Sequence, residues 1–265
     1  MTTAVAKAKN TAVSTDLMDD MMLDAGEGAA FSADEMQIPF VRLLQALSPQ
    51  LNKKKPEYID GASSGDAFNN VTGQYWNGET GIKVVPCFQT TKYLEFTPRE
   101  AGGGFRGEIP ASSPLLQQTS RSGSKEILPN GNELVKSDQH FCLIVDEDGS
   151  SQPAVIDMKS TQLKVSRRWK TQIAMQKVTA PDGRKVTPPL YATIWTLRSV
   201  EESNDQGDWA NWVVEREGLI EDRELYQEAK TFRQSIEAGE VKAAAEESPQ
   251  SDSSNDPYPG DDIPF

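Results

Sequence analysis

The run FCLIVDEDGSSQPAVIDMKS, residues 141–160, decides the architecture. Phe141, Leu143 and Val145 alternate as in a half-buried strand, Asp148-Gly149 is a turn signal, and Pro153 to Met158 is a second apolar run. That is the pattern of a β-hairpin. Ser160 or Thr161 can then cap a helix, and Leu163, Trp169 and Ile173 carry it to about Gln176.

Working outward, residues 81–97 read as one long strand or two: Ile82, Val84 and Phe88, then Tyr93, Leu94 and Phe96, with Pro86 marking an edge or a bulge. A long irregular stretch follows, about Pro98 to Ser137, with Gly102-Gly103-Gly104 and Asn130-Gly131. Stretches of that length inside a domain are functional or disordered. Beyond the helix, Leu190 to Val200 is a strand, Asn204 to Gly207 turns it, and Trp209 to Glu217 pairs back. Leu225, Ala229, Phe232 and Ile236 stripe a last helix that ends at Gly239. The order over residues 81–217 is strand, long loop, strand, strand, helix, strand, strand. It is the order of an OB-fold, a five-stranded Greek-key barrel with a helix between strands 3 and 4. The expected fold is mainly β with flanking helices. Upstream, Ser32-Ala33-Asp34-Glu35 fits a capping box. Pro39 suits a first helical position, and Phe40, Leu43, Leu44 and Leu47 predict a helix over 39–47 that Ser48-Pro49 stops.

The chain has 265 residues and a formal net charge of −13. Residues 1–37 hold two lysines against seven acids, and residues 241–265 one lysine against six, so the acidity is concentrated in the ends. An acidic total therefore leaves room for a basic surface in the middle. Residues 1–30 read as a disordered acidic tail in which Leu17, Met18, Met21, Met22 and Leu23 could form a transient helix on a partner. Residues 31–240 read as the OB-fold domain, and 241–265 as a second disordered acidic tail. Cys87 and Cys142 sit in apolar runs and read as buried thiols rather than a disulfide. No apolar run spans a membrane and no signal-peptide pattern occurs, so no membrane role is expected. There is no Walker loop, no nucleotide-binding glycine fingerprint and no HExxH. Neither catalysis, cofactor nor metal is expected, and the single histidine, His140, has no metal-ligand companion beyond Cys142.

Binding a single strand without sequence preference needs cations along a phosphate track and aromatic faces for bases. The densest basic run, residues 159–185, offers Lys164, Arg167, Arg168, Lys170, Lys177, Arg184 and Lys185, with Trp169 inside it. The helix in this position often plugs a barrel end, so Lys177, Arg184 and Lys185 of the following connection are better placed than the helix itself. The long first loop offers Arg99, Phe105, Arg106, Arg121 and Lys125. Tyr93, Phe96, Tyr191 and Trp195 lie on expected strands and are the candidate stacking residues. Lys53-Lys54-Lys55 reads as a solvated loop or a phosphate contact, and Ile38-Pro39-Phe40 as a chance echo of the C-terminus.

The last five residues, Asp261-Asp262-Ile263-Pro264-Phe265, form an acidic hook with two apolar anchors. They resemble the acidic tip of bacterial single-stranded DNA-binding proteins, with Gly260 where that pattern has a third Asp. Tip, length and expected barrel together resemble the single-stranded DNA-binding proteins of tailed bacteriophages, including the T7 type. Tyr93-Leu94-Glu95-Phe96-Thr97-Pro98-Arg99-Glu100 with Gly102-Gly103-Gly104-Phe105 also resembles uncharacterised phage proteins. The resemblance implies a protein of the infected bacterial cytoplasm that coats and protects single-stranded DNA in replication, recombination and repair, including strand annealing. It implies partners such as a polymerase, helicase, primase or nuclease captured by Asp261 to Phe265, and is compatible with a homo-oligomer. The reading from another class is an adaptor that presents the tail without binding DNA.

Overall fold

The computed structural model describes residues 15–24, 37–205 and 207–243. The capping box at 32–35 and the hook at 261–265 lie outside the described residues. Helix α1 (Thr15–Leu23) comes first, where the sequence suggested only a transient helix in an otherwise disordered tail; Leu17, Met18, Met21, Met22 and Leu23 are exposed on it.

Two strands, β1 (Gln37–Ile38) and β2 (Phe40–Leu43), occupy the segment predicted as a helix over 39–47. Ile38 and Phe40 are buried against one side of the sheet, Val41 and Leu43 against the other. A strand covered on both faces is an unbroken apolar run, and such a run imitates a helical stripe. Leu47, the last residue of that stripe, is 58% exposed. The strands β3 (Ala67–Asn69) and β4 (Tyr75–Trp76) follow. Next, β5 (Ile82–Phe96) is one strand, and Pro86 lies at a bulge where its register against its neighbour slips before Phe88.

The stretch expected to be irregular carries β6 (Phe105–Ile109), β7 (Ser120–Ser122) and β8 (Lys125–Ile127) before β9 (Glu133–Val145). These strands form an arm on the far half of the β5–β9 ladder, around Ile109, Leu128 and Leu134. Their partners are near in sequence, Phe96 opposite Phe105, Ser122 opposite Lys125 and Ile127 opposite Glu133, but the strands are short and mostly exposed, so apolar alternation gave little sign of them. The hairpin at 141–160 is as the sequence indicates: β10 (Ser151–Lys159) returns from β9 with Val145 opposite Ser151 and Ser137 opposite Lys159. Gly149 turns the chain at φ +86°, a conformation that favours glycine. Then come α2 (Gln162–Ala174), a small hairpin of β11 (Val178–Thr179) and β12 (Lys185–Val186), and the long pair β13 (Thr193–Asn204) and β14 (Gly207–Leu219). Helix α3 (Arg223–Glu237), capped by the Asp222 carboxylate accepting from Glu224 N–H at 2.7 Å, precedes β15 (Lys242–Ala243), which pairs with β1.

The main sheet runs β14-β13-β5-β9-β10-β2-β3-β4, with the arm strands attached to β5 and β9. It is mixed, because β10 and β2 are parallel. It also curls. Gln45, just past β2, donates from Nε2 to Ala210 O (3.1 Å) and accepts from Ala210 N–H at Oε1 (2.9 Å), joining the β2 region to the β14 edge. Residues from both regions, Val41, Leu43 and Ala67 with Ala210 and Trp212, share one core with Ile144, Ile156, Trp169 and Trp195. Helix α2 packs on β9, β10 and β14 and closes the concave side; its stripe Val165, Trp169 and Ile173 belongs to that core. Helix α3 covers the opposite face, burying Leu225 and Ala229 against Val85, Cys87 and Leu143. Asp157 on β10 is buried between two cations, Arg42 Nε at 3.0 Å and Lys159 Nζ at 2.9 Å, which ties β2 to β10. Burial alone would push its carboxyl up, but the two charges outweigh burial and hold it below the usual carboxylate range.

Candidate nucleic-acid interface

The expected site residues separate into two groups. In the arm, Tyr93 packs on Ile109, Leu128 and Leu134. Phe96 faces Phe105 across the β5–β6 pair, ring centroids 5.5 Å apart. Arg99, Arg106, Arg121 and Lys125 are exposed; Arg106 Nε donates to Thr97 Oγ1 (2.6 Å) and Lys125 Nζ lies 2.5 Å from Glu133 Oε1. A further pair, Lys92 and Glu108, spans 2.8 Å. Two of the arm's cations, Lys92 and Lys125, are thus matched by carboxylates. Phe96 lies seven residues along β5 from Gln89, roughly 23 Å at the rise of a strand.

The second group is on α2 and the hairpin after it. Arg167 and Arg168 are exposed, with no carboxylate partner among the described residues. Lys164 Nζ is 3.6 Å from Glu202. Lys177 donates to Thr187 Oγ1 (2.7 Å), Arg184 pairs with Asp182 (2.6 Å), and Lys185 is exposed. Arg167, Lys170 and Ala174 fall at i, i+3 and i+7 and share one side of the helix.

The aromatic expectations need two corrections. Trp169 is fully buried and Trp195 1% exposed, their rings 6.1 Å apart edge to face, so neither presents a face to a base. Both obey the helix and strand spacing that also makes a core residue, and burial decides between the two roles. Tyr191 is half-buried against Tyr226 (5.3 Å), with the Arg233 guanidinium 5.9 Å from its ring.

Beside Lys170 the structure holds a recess of about 200 Å³ that the sequence did not indicate. Pro86, Phe88, Gln89 and His140 line it from the sheet. Lys170, Ile173 and Ala174 line it from α2, and Leu190 from the approach to β13. The bulge of β5 between Pro86 and Phe88 lies in its wall. Behind it lies a buried polar network. Asp138 accepts from Thr91 Oγ1 (2.7 Å), Ser166 Oγ (2.7 Å) and Lys170 Nζ (2.6 Å). Burial would raise the Asp138 carboxyl, but the hydrogen bonds from Lys170, Thr91 and Ser166 outweigh it and hold the group ionised below the usual range. Ser166 Oγ also meets His140 Nε2 at 2.8 Å, and the His140 ring stacks on Trp169 at 4.6 Å.

Proton counting fixes the polarity of this chain. Ionised Asp138 has only lone pairs, so Ser166 spends its one hydrogen there. The Ser166 oxygen must then accept from His140 Nε2–H. Burial pushes the His140 pKa down to about 3, so the ring is neutral and its Nδ1 is a bare acceptor. Nδ1 has no protein partner among the described residues. Serine, histidine and aspartate are the residue types of an acyl-transfer triad, but here the histidine gives a proton to the serine instead of taking one, and Ser166 is fully buried. The network holds α2 to β9 and sets the tautomer of a histidine that faces the recess. No three His, Cys, Asp or Glu side chains cluster as a metal site among the described residues.

No helix among the described residues is long and apolar enough to cross a membrane. No curated protein and no solved structure matches the chain. A family of phage proteins, described as Pam3 phage gp34-like protein, matches over residues 7–242, nearly all of the sequence. The chain therefore belongs to the Pam3 phage gp34-like protein family.

Proposed function

We propose that this phage protein binds single-stranded DNA in the cytoplasm of the infected cell, coats it during replication, recombination and repair, and recruits partner enzymes through Asp261 to Phe265. The observation that carries the reading is strand order. The path β14-β13-β5-β9-β10, with α2 between β10 and β13, is the sequence of strands in a five-stranded Greek-key barrel with its helix between strands 3 and 4. Here β2 stands beside β10, where the last barrel strand would close. The exposed cations Arg167, Arg168 and Lys185 add support, as groups able to meet phosphates. Helix α3 covers the outer sheet face, so the strand runs along the α2 side and the hairpin after it.

The test is fluorescence anisotropy with an end-labelled dT30 oligonucleotide between 20 and 300 mM salt. Binding should weaken along a straight line in log–log form, by about 0.7 in slope per phosphate contact. Replacing Arg167 and Arg168 together by Ala should flatten that slope by roughly 1.4. An anisotropy that stays flat at 20 mM salt and micromolar protein removes the reading and leaves the adaptor that only presents its tail.

A further inference from the structure

The recess between α2 and β5 has the chemistry of a site for one flat heterocycle. Its walls are apolar: Pro86, Ile173, Ala174 and Leu190. Three polar groups converge on it. His140 is 2% exposed and lines the space with an imidazole whose Nε2 is committed to Ser166, which leaves Nδ1 as an unpartnered acceptor. Lys170 gives one hydrogen to Asp138 and keeps two more to donate. Gln89 carries an amide whose only protein contact among the described residues is a long one, 3.5 Å to Thr91. An acceptor with no protein partner on the wall of a recess is met there by water or by a ligand's donor.

At about 200 Å³ the space is below the ~300–1,000 Å³ of pockets that hold drug-sized molecules, which suits a single ring system. A nucleobase offers what these groups ask for: a ring or exocyclic N–H for Nδ1, a neighbouring carbonyl or ring nitrogen for Lys170, and π-faces for apolar walls. The Arg167 side of α2 leads straight to its mouth, so a backbone phosphate on Arg167 would leave the attached base at the recess.

We propose that this recess takes one nucleobase of the bound strand, with His140 Nδ1 accepting from it and Lys170 donating to it. The proposal rests on the single-strand reading above and adds a fixed base position to what is otherwise phosphate binding. The network of Asp138 and Ser166 has a positioning part, because it holds His140 in the tautomer with a free Nδ1.

The histidine is the only one in the chain, so its imidazole nitrogens give a single, unambiguous ¹⁵N spectrum. With the full-length protein and dT15, the Nδ1 resonance should move as it accepts a hydrogen bond. The variant Ala174→Trp fills the recess from an exposed rim position. It should lower dT15 affinity by roughly 5- to 150-fold, the worth of one stacked base, while leaving the salt slope unchanged. An oligonucleotide with abasic positions should bind wild type and Ala174→Trp equally. If dT15 binds but Nδ1 stays still, or Ala174→Trp binds as wild type does, the recess is not a base site. If dT15 fails to bind at all, the single-strand reading falls. Thymidine monophosphate at millimolar concentration then decides the recess: a moving Nδ1 retains it as a site for a free nucleotide, and a static one overturns it.

Discussion

Acidification from pH 7.5 to 5.0 should destabilise this protein through His140. The ring is buried and stacked on Trp169, which pushes its pKa from an ordinary 6.5 to about 3. The charged groups that face it are Asp138 on β9, which favours protonation, and Lys170 on α2, which opposes it. The folded-state pKa is the depressed one, so the stabilising effect of a neutral ring is complete above pH 6.5 and is lost as pH falls from there toward 3. In that window the unfolded chain binds a proton that the folded chain refuses. Each pH unit below 6.5 costs about 1.4 kcal/mol, so pH 5.0 costs about 2 kcal/mol relative to pH 7.5. For a chain of this size that is a fall of roughly 4–8 °C in Tm.

Urea unfolding followed by circular dichroism at pH 7.5, 6.5, 5.5 and 5.0 reads this directly, as a falling midpoint at constant m-value. The comparison is His140→Phe, which keeps a flat ring against Trp169 and leaves Ser166 free to donate to Asp138. Its midpoint at pH 7.5 should be lower than that of wild type, and its slope between pH 6.5 and 5.0 should be shallower by about 1.4 kcal/mol per unit. Parallel slopes in the two proteins would refute the assignment of a buried neutral imidazole.

Gln45→Ala removes both hydrogen bonds to Ala210 that join the β2 region to the β14 edge, and should cost about 1–3 kcal/mol in urea unfolding; a cost below 0.5 kcal/mol, roughly the least expected of a single bond, would mean that apolar contacts alone hold the curl. Of the five tryptophans, Trp169, Trp195, Trp209 and Trp212 are each 9% exposed or less and Trp76 is half-buried, so acrylamide should quench mainly Trp76 and leave most of the intrinsic emission; strong acrylamide quenching of the whole emission would mean that the core opens. Truncation after Ala243 keeps β15 on β1 and removes the acidic segment 244–265. It should tighten dT30 binding at 20 mM salt and match the full chain near 300 mM, where charges more than about 6 Å apart are screened; equal affinity at low salt would show that the tail does not compete for the cations.

Most of residues 141–236 was legible because its longer elements announce themselves locally; the small hairpin β11–β12 was read only as a connection. Phe141, Leu143 and Val145 alternate around a turn signal, and Leu225, Ala229, Phe232 and Ile236 keep helical spacing. The segment at 37–43 misled because β2 is buried on both faces, which erases the alternation that identifies a strand. The arm strands went unread because they are short and mostly exposed, so they carry no apolar alternation although they pair with near neighbours in sequence. Surface cations on α2 were legible as a basic run. The recess was not, because it is assembled from Gln89, His140, Lys170 and Leu190, which are far apart in sequence and brought together by the β5 bulge and the packing of α2. A lone histidine in an apolar run gives no sign of which neighbour takes its proton; only the path through Ser166 to Asp138 does.

The position of α3 limits where a strand of DNA can lie. In an OB-fold, nucleic acid crosses the face of the second and third strands, which on the proposed reading are β9 and β10. Helix α3 packs on this side of the sheet, Leu225 and Ala229 against Val85, Cys87 and Leu143, with Phe232 and Ile236 against Phe40, Phe141 and Val155. Burying a large apolar side chain contributes about 1.5–3 kcal/mol, so Leu225, Phe232 and Ile236 together hold the helix by several kcal/mol. Displacing it would consume the return from two or three stacked bases, at about 1–3 kcal/mol each, before any net binding appeared. The α2 side carries no such cost: its cations are already exposed and its recess already formed. A crosslink that tethers α3 to β5 should therefore leave dT30 affinity unchanged. If tethering abolishes binding, the strand lies under α3, and Arg167, Arg168 and the recess are bystanders.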